Sequence, residues 1–149
     1  MKDGEIIGKV HNSMYQQIQK AGFAAPVQVL IDLGYLSASD YENWRFGRVQ
    51  YLERVCRGNL RKLSFVMKQV RAYASKNNLK PSWTFYRQFG RKDKKPAIKL
   101  RFTRSGNEDI ERAYATHYIS PIRVDEIKSV KTKIPESDDE GAENCGLKE

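Results

Sequence analysis

At 149 residues the chain is long enough for one compact domain with a real core and too short to suggest two. Its 40% hydrophobic and 11% aromatic content excludes a chain disordered throughout, and no apolar run approaches the roughly 20 residues needed to cross a bilayer. The formal charge of +9 is unevenly placed, because residues 59–106 hold fourteen Lys and Arg against the single acid Asp93, a local +13.

The apolar residues Ile6, Ile7, Val10, Met14 and Ile18 recur at helical spacing and predict a helix from Glu5 to Lys20, ended by Ala21-Gly22. Pro26 fits the first turn of a second helix, with Val27, Leu30, Ile31 and Leu33 inward and Gly34 as its stop. Ser39 and Glu42 have the spacing of a capping box, which opens a short helix through Tyr41, Trp44 and Arg45. These two helices have the outline of a helix-turn-helix, although short helix pairs are also common in ordinary helical domains. Val49 to Arg57 reads as a further short helix.

Asn59 is a good cap for the longest predicted helix, Leu60 to Asn77. Leu60, Leu63, Val66, Met67, Val70, Tyr73 and Ala74 form its apolar stripe, and Arg61, Lys62, Lys68, Arg71 and Lys76 occupy the rest with no acid among them. A helix that is only solvated gains by mixing signs, about 0.2–0.5 kcal/mol for each opposite pair at i,i+4.

After Pro81, alternation predicts a strand over Trp83–Phe89 with Trp83, Phe85 and Phe89 on one face. Ala97–Thr103 reads as its partner, with Ile98, Leu100 and Phe102 inward. The two would form a hairpin with a basic loop, leaving Tyr86, Lys99 and Arg101 on the outer face. Asn107 then caps a helix expected to reach Tyr118, Ile122–Val130 reads as a short edge element, and the acidic residues from Pro135 onward read as a disordered tail.

The expected architecture is therefore α+β: one predominantly helical domain over residues 1–134 with a β-hairpin, followed by the tail at 135–149. The start of the chain lacks the apolar core of a secretory signal, so the expected location is cytoplasmic, with no membrane partner. Two isolated cysteines and two isolated histidines give no metal-site spacing, and no metal or other cofactor is expected.

A contiguous basic block is the footprint expected for a polyanion. Arg61, Lys68, Arg71, Arg91, Lys92, Lys94, Lys95, Lys99 and Arg101 are the expected phosphate contacts. Tyr86 or Trp83 would be available to stack on a base. The principal reading is a nucleic-acid-binding protein, DNA or RNA, without catalytic activity. An alternative is a phosphodiester-cleaving enzyme in which His117 acts as acid–base and Arg101 or Arg112 meets developing charge. Tyr114, His117 and Tyr118 lie at helical spacing with Ile110, a stripe that is more often the wet edge of a core. A third reading is an adaptor with an acidic protein partner, and the tail itself is expected to visit the basic block.

Trp44-Arg45-Phe46-Gly47-Arg48 could grip a phosphate, although Trp and Phe at a helix end usually plug a core. No nucleotide-binding or serine-hydrolase motif is present.

Overall fold

The structure, a computed structural model, describes residues 1–90 and 98–133, the last three by backbone alone. It is α+β and mostly helical, with a small antiparallel sheet. The first helix, α1 (Asp3–Ala21), turns Ile6, Val10, Met14 and Ile18 inward. It stops where Gly22 adopts a left-handed conformation and donates its N–H to the Ile18 carbonyl. Strand β1 (Phe23–Ala24) leads into α2 (Pro26–Leu33), which begins at Pro26 and is stopped by Gly34 as expected.

The third helix, α3 (Ala38–Arg45), departs from the expected cap. Ser37, not Ser39, accepts the Asp40 N–H, at 3.0 Å, so the helix starts earlier and Ser39 lies within its first turn. Its outer side presents Ser39 and Glu42, while Trp44 and Arg45 are buried. It does not offer the cationic, base-reading face that a recognition helix needs.

The expected helix at Val49–Arg57 contracts to a single 3-10 turn, Leu52–Val55. The Leu52 and Glu53 N–H groups donate to the Arg101 and Phe102 carbonyls instead of to a preceding helical turn. Helix α4 (Leu60–Lys76) matches its stripe, with Asn59 accepting the Lys62 N–H at 2.9 Å. Leu63, Val66, Met67, Val70 and Ala74 are buried, but Leu60, at the first turn, is exposed.

The sheet differs most from expectation. Its strands are β1, β2 (Lys80–Trp83) and β3 (Thr116–Ile119), ordered β1-β3-β2 with both pairings antiparallel. The predicted strand at Trp83–Phe89 is shifted toward the N-terminus, and its faces are reversed: Trp83 and Phe89 are exposed, whereas Tyr86 is buried. The hairpin survives in reduced form. Gln88 donates to the Ile98 carbonyl and Leu100 to that of Tyr86, around a single bridge between Arg87 and Lys99. Its expected loop at 91–97 lies outside the described residues.

Beyond Leu100 the chain leaves strand geometry because its donors find another acceptor. Glu111 of α5 (Glu108–Ala115) accepts the Phe102 N–H at 3.0 Å and the Thr103 N–H at 2.7 Å, together with the Thr103 hydroxyl at 2.5 Å. Glu53 accepts the Arg104 N–H at 3.2 Å. Two carboxylates thus replace a partner strand.

Helix α5 is capped by Asn107 as expected but ends at Ala115, so His117 and Tyr118 belong to β3 and not to a helix. The predicted edge element at Ile122–Val130 is instead a helix, α6 (Pro121–Lys133). Here Ser120 supplies the cap to Arg123 N–H, and the Arg123 guanidinium donates twice to the Gln19 carbonyl near the end of α1, at 3.0 and 2.8 Å. A cation at a helix C-terminus also complements its dipole. Gly22 permits the approach, since a Cβ there would lie 2.6 Å from Val124 Cγ2.

Buried residues from α1 to β3 join one apolar cluster. Trp44 sits at its aromatic centre, with ring centroids 5.1 Å from Phe102 and 5.5 Å from Tyr86, and its Nε1–H donates to the Arg101 carbonyl at 2.8 Å. The residue expected to serve either as a core plug or as part of a phosphate grip is the plug.

Candidate nucleic-acid interface

Cross-strand partners in an antiparallel sheet project to the same side. Trp83 pairs with Thr116 and Pro81 with Tyr118, whereas His117 pairs with Ser82 and faces the other way. The Trp83 side of the sheet meets three sources of positive charge. The Lys99 ammonium and the Arg112 guanidinium lie over the Trp83 ring, 5.3 and 5.4 Å from its centroid. Arg71 of α4 is close enough to Tyr118 to oppose, by its charge, the upward pKa shift that burial imposes on that phenol.

Trp83 is 52% exposed, in contrast to the fully enclosed Trp44. Cation–π contacts at exposed sites are worth about 0.5–1 kcal/mol each, enough to orient the ring without closing it off. A groove of about 390 Å³ that Trp83 helps to line includes Leu100, Phe102 and Ala115 together with Arg101, Glu108 and Glu111.

The expected phosphate contacts divide into four groups. Lys68 and Arg71 are exposed on α4, and Lys99 is exposed beside Trp83. Arg61 is exposed but lies 3.3 Å from the Asp3 carboxylate, which Lys62 also approaches, at 3.4 Å. Arg101 is exposed, yet its guanidinium donates to the Thr103 and Arg104 carbonyls and so helps fold its own turn. Arg91, Lys92, Lys94 and Lys95 lie outside the described residues. Lys76, Lys80, Arg87 and Arg104 add further exposed cations, and among the described residues none of these four, nor Lys68, Arg71 or Lys99, forms an ion pair with a carboxylate.

Tyr86 does not belong to this surface. Buried at 2% exposure, its hydroxyl shares a 3.1 Å hydrogen bond with His117 Nε2, and its ring lies 4.9 Å from the Arg45 guanidinium carbon. Arg45 is itself buried, donating to the Tyr41 hydroxyl and the Arg87 carbonyl, with its guanidinium carbon 3.8 Å from the Phe89 centroid.

No known family, curated protein or solved structure matches this chain. The site therefore rests on its own geometry. Arg112 was expected beside His117, but it stands over Trp83 and lines the Trp83 groove with Arg101. His117, stacked on Phe23 at 5.3 Å, lines a separate cleft of about 530 Å³ with Gln17, Gln28 and Asp32. Among the described residues, His117 and the two arginines expected to work with it, Arg101 and Arg112, thus line different clefts. Among the described residues there is also no cluster of His, Cys, Asp and Glu suited to a metal ion.

Tyr114, expected on the His117 stripe, instead donates to Glu53 at 2.8 Å, and burial followed by that carboxylate's charge drives its phenol pKa far upward. No helix among the described residues is long and apolar enough to cross a membrane.

The sequence reading missed the importance of Arg112, which sits outside the basic block and reaches Trp83 only through the α5–β3 junction. An available signal was that Arg112 is the one basic residue of α5, in its last turn, after a first turn that is acidic.

Proposed function

We propose that the protein binds nucleic acid through the surface formed by α4, the β2 edge and the 98–104 arm, and that phosphate contacts supply most of the affinity. One observation carries the reading: the exposed cations Lys68, Arg71, Lys76, Lys80, Arg87, Lys99 and Arg104 make no ion pair with any described carboxylate. A surface that only needs solvation is better served by mixed signs, whereas unpaired cations are free to displace counterions from a polyanion.

The test is fluorescence anisotropy with labelled oligonucleotides across a salt series. Log K is expected to fall linearly with log salt, with a slope corresponding to about four to seven phosphates at roughly 0.7–0.9 per contact. A flat dependence, or no binding at low salt, would overturn the reading.

A further inference from the structure

We infer that Trp83 is a stacking platform for an unpaired base, so that the surface prefers single-stranded over double-stranded nucleic acid. This rests on the nucleic-acid reading above and adds to it the form of the ligand. Trp83 is the one tryptophan left open to solvent, on a strand whose four residues are all exposed. Indole burial is a strong driving force, and the fold uses it fully at Trp44.

The ring is nevertheless held in place by cations from two elements that are separate in sequence, Lys99 on the arm and Arg112 on α5. A base arriving on the Lys99 side would take the place of the ammonium, whose flexible stem lets it swing to the adjoining phosphate. Arg112 would stay on the ring, supported by the rigid α5–β3 junction where the Thr116 hydroxyl donates to the Arg112 carbonyl at 2.7 Å.

In a duplex each base face is already covered by its neighbours, so the platform has nothing to stack on without unpairing. A single strand presents bases freely, and every base has a face to offer, which makes such contacts tolerant of sequence. The groove of about 390 Å³ that the ring helps to line combines the apolar Leu100, Phe102 and Ala115 with the carboxylates of Glu108 and Glu111, a mixed wall that suits the polar edge of a flat heterocycle.

The experiment compares the full chain with Trp83→Ala and Trp83→Phe, using a labelled oligodeoxythymidine, an oligouridine and a duplex of equal length. Whichever single strand binds more tightly serves as the reporter. Trp83→Ala should weaken single-strand binding by about five- to 150-fold, with the salt slope unchanged and duplex affinity within about twofold. Trp83→Phe should recover part of the loss. Titration with the single strand should quench the exposed tryptophan emission of the wild type, and Trp83→Ala should abolish that quenching while the buried Trp44 signal persists.

If Trp83→Ala leaves salt-dependent single-strand binding intact, or weakens single strand and duplex equally, the platform is refuted while the phosphate-driven reading stands. If no oligonucleotide binds the wild type at low salt, both fall.

Discussion

Replacing Glu111 by alanine removes the acceptor that holds the 101–104 segment in place. Its carboxylate takes the N–H groups of Phe102 and Thr103, both only 1% exposed, and the Thr103 hydroxyl. The two amides cannot reach water without opening the arm, and the Thr103 hydroxyl, which also accepts the Gly106 N–H, is equally enclosed. A buried donor left unmade costs about 1–3 kcal/mol, so the two amides together imply about 2–6 kcal/mol. Against a typical total of about 5–15 kcal/mol, that is a large share. In a domain of this size each kcal/mol moves the melting temperature by about 3–5 °C, which puts the Glu111→Ala shift at about 6–30 °C downward. Glu111→Gln keeps one acceptor oxygen and should lose about half as much. Glu108→Ala, an exposed acid on the same helix, serves as the control and should stay within about 2 °C. Thermal unfolding followed by circular dichroism measures all three. A Glu111→Ala protein melting within about 2 °C of wild type would show that the carboxylate does not hold the arm.

His117→Ala should lower stability by about 1–3 kcal/mol, through loss of the Phe23 stack and the Tyr86 hydrogen bond, and leave oligonucleotide binding unchanged. Loss of a phosphodiesterase activity at an unaltered melting temperature would instead make His117 catalytic. Burial, with the charges of Glu53 and Asp40 adding to it, pushes the Cys56 thiol up to about 12 from 9.0. In a Cys145→Ser background, alkylation of Cys56 at pH 8.5 should therefore run at least about 100-fold slower than for a free cysteine, and a rate equal to the free thiol would contradict this. Because the folded pKa lies above the unfolded one, the thiol's contribution to stability is full below pH 9 and declines as the pH rises toward 12. Truncation after Pro135 removes five net negative charges. If the tail visits the basic surface, the shortened chain should bind oligonucleotides more tightly at low salt and equally at high salt, and identical affinities at low salt would exclude such visits.

The helices that read clearly in the sequence are those with both a stripe and a stop. Helices α1, α2 and α4 each have apolar residues at helical spacing ahead of a recognisable end. Helix α6 has no such stripe, since Ile122 and Val130 both face solvent, and it is held by an arginine on a distant carbonyl that no local pattern announces. The boundary between α5 and β3 was hidden because Tyr114, His117 and Tyr118 suit a helical period, although the Thr-His-Tyr-Ile run has strand composition. At Trp83–Tyr86 alternation revealed extended chain but not which side was inward, and a shift of one residue exchanges the two faces. For the candidate site, the concentration of cations was legible from composition. The exposure of Trp83 and its contact with Arg112 depend on how β2 pairs with β3, a relation between segments that pattern within either one does not encode.

The way α6 is attached gives the molecule two tiers of stability. Helices α1 to α5 and the strands β1 and β3 share the apolar cluster, so exposing their amides demands broad loss of structure. Helix α6 is held by the Arg123 guanidinium, the Ser120 N–H on the Gly22 carbonyl and the close passage of Val124 over Gly22. It can therefore open on its own, at a free energy set by a few polar contacts and one small apolar patch, while the rest stays folded. In native-state hydrogen exchange its amides would lose protection ahead of the global transition. A side chain added at Gly22 would clash with Val124 and lower that local opening energy, and the strain of its left-handed conformation at the end of α1 would lower the melting temperature as well.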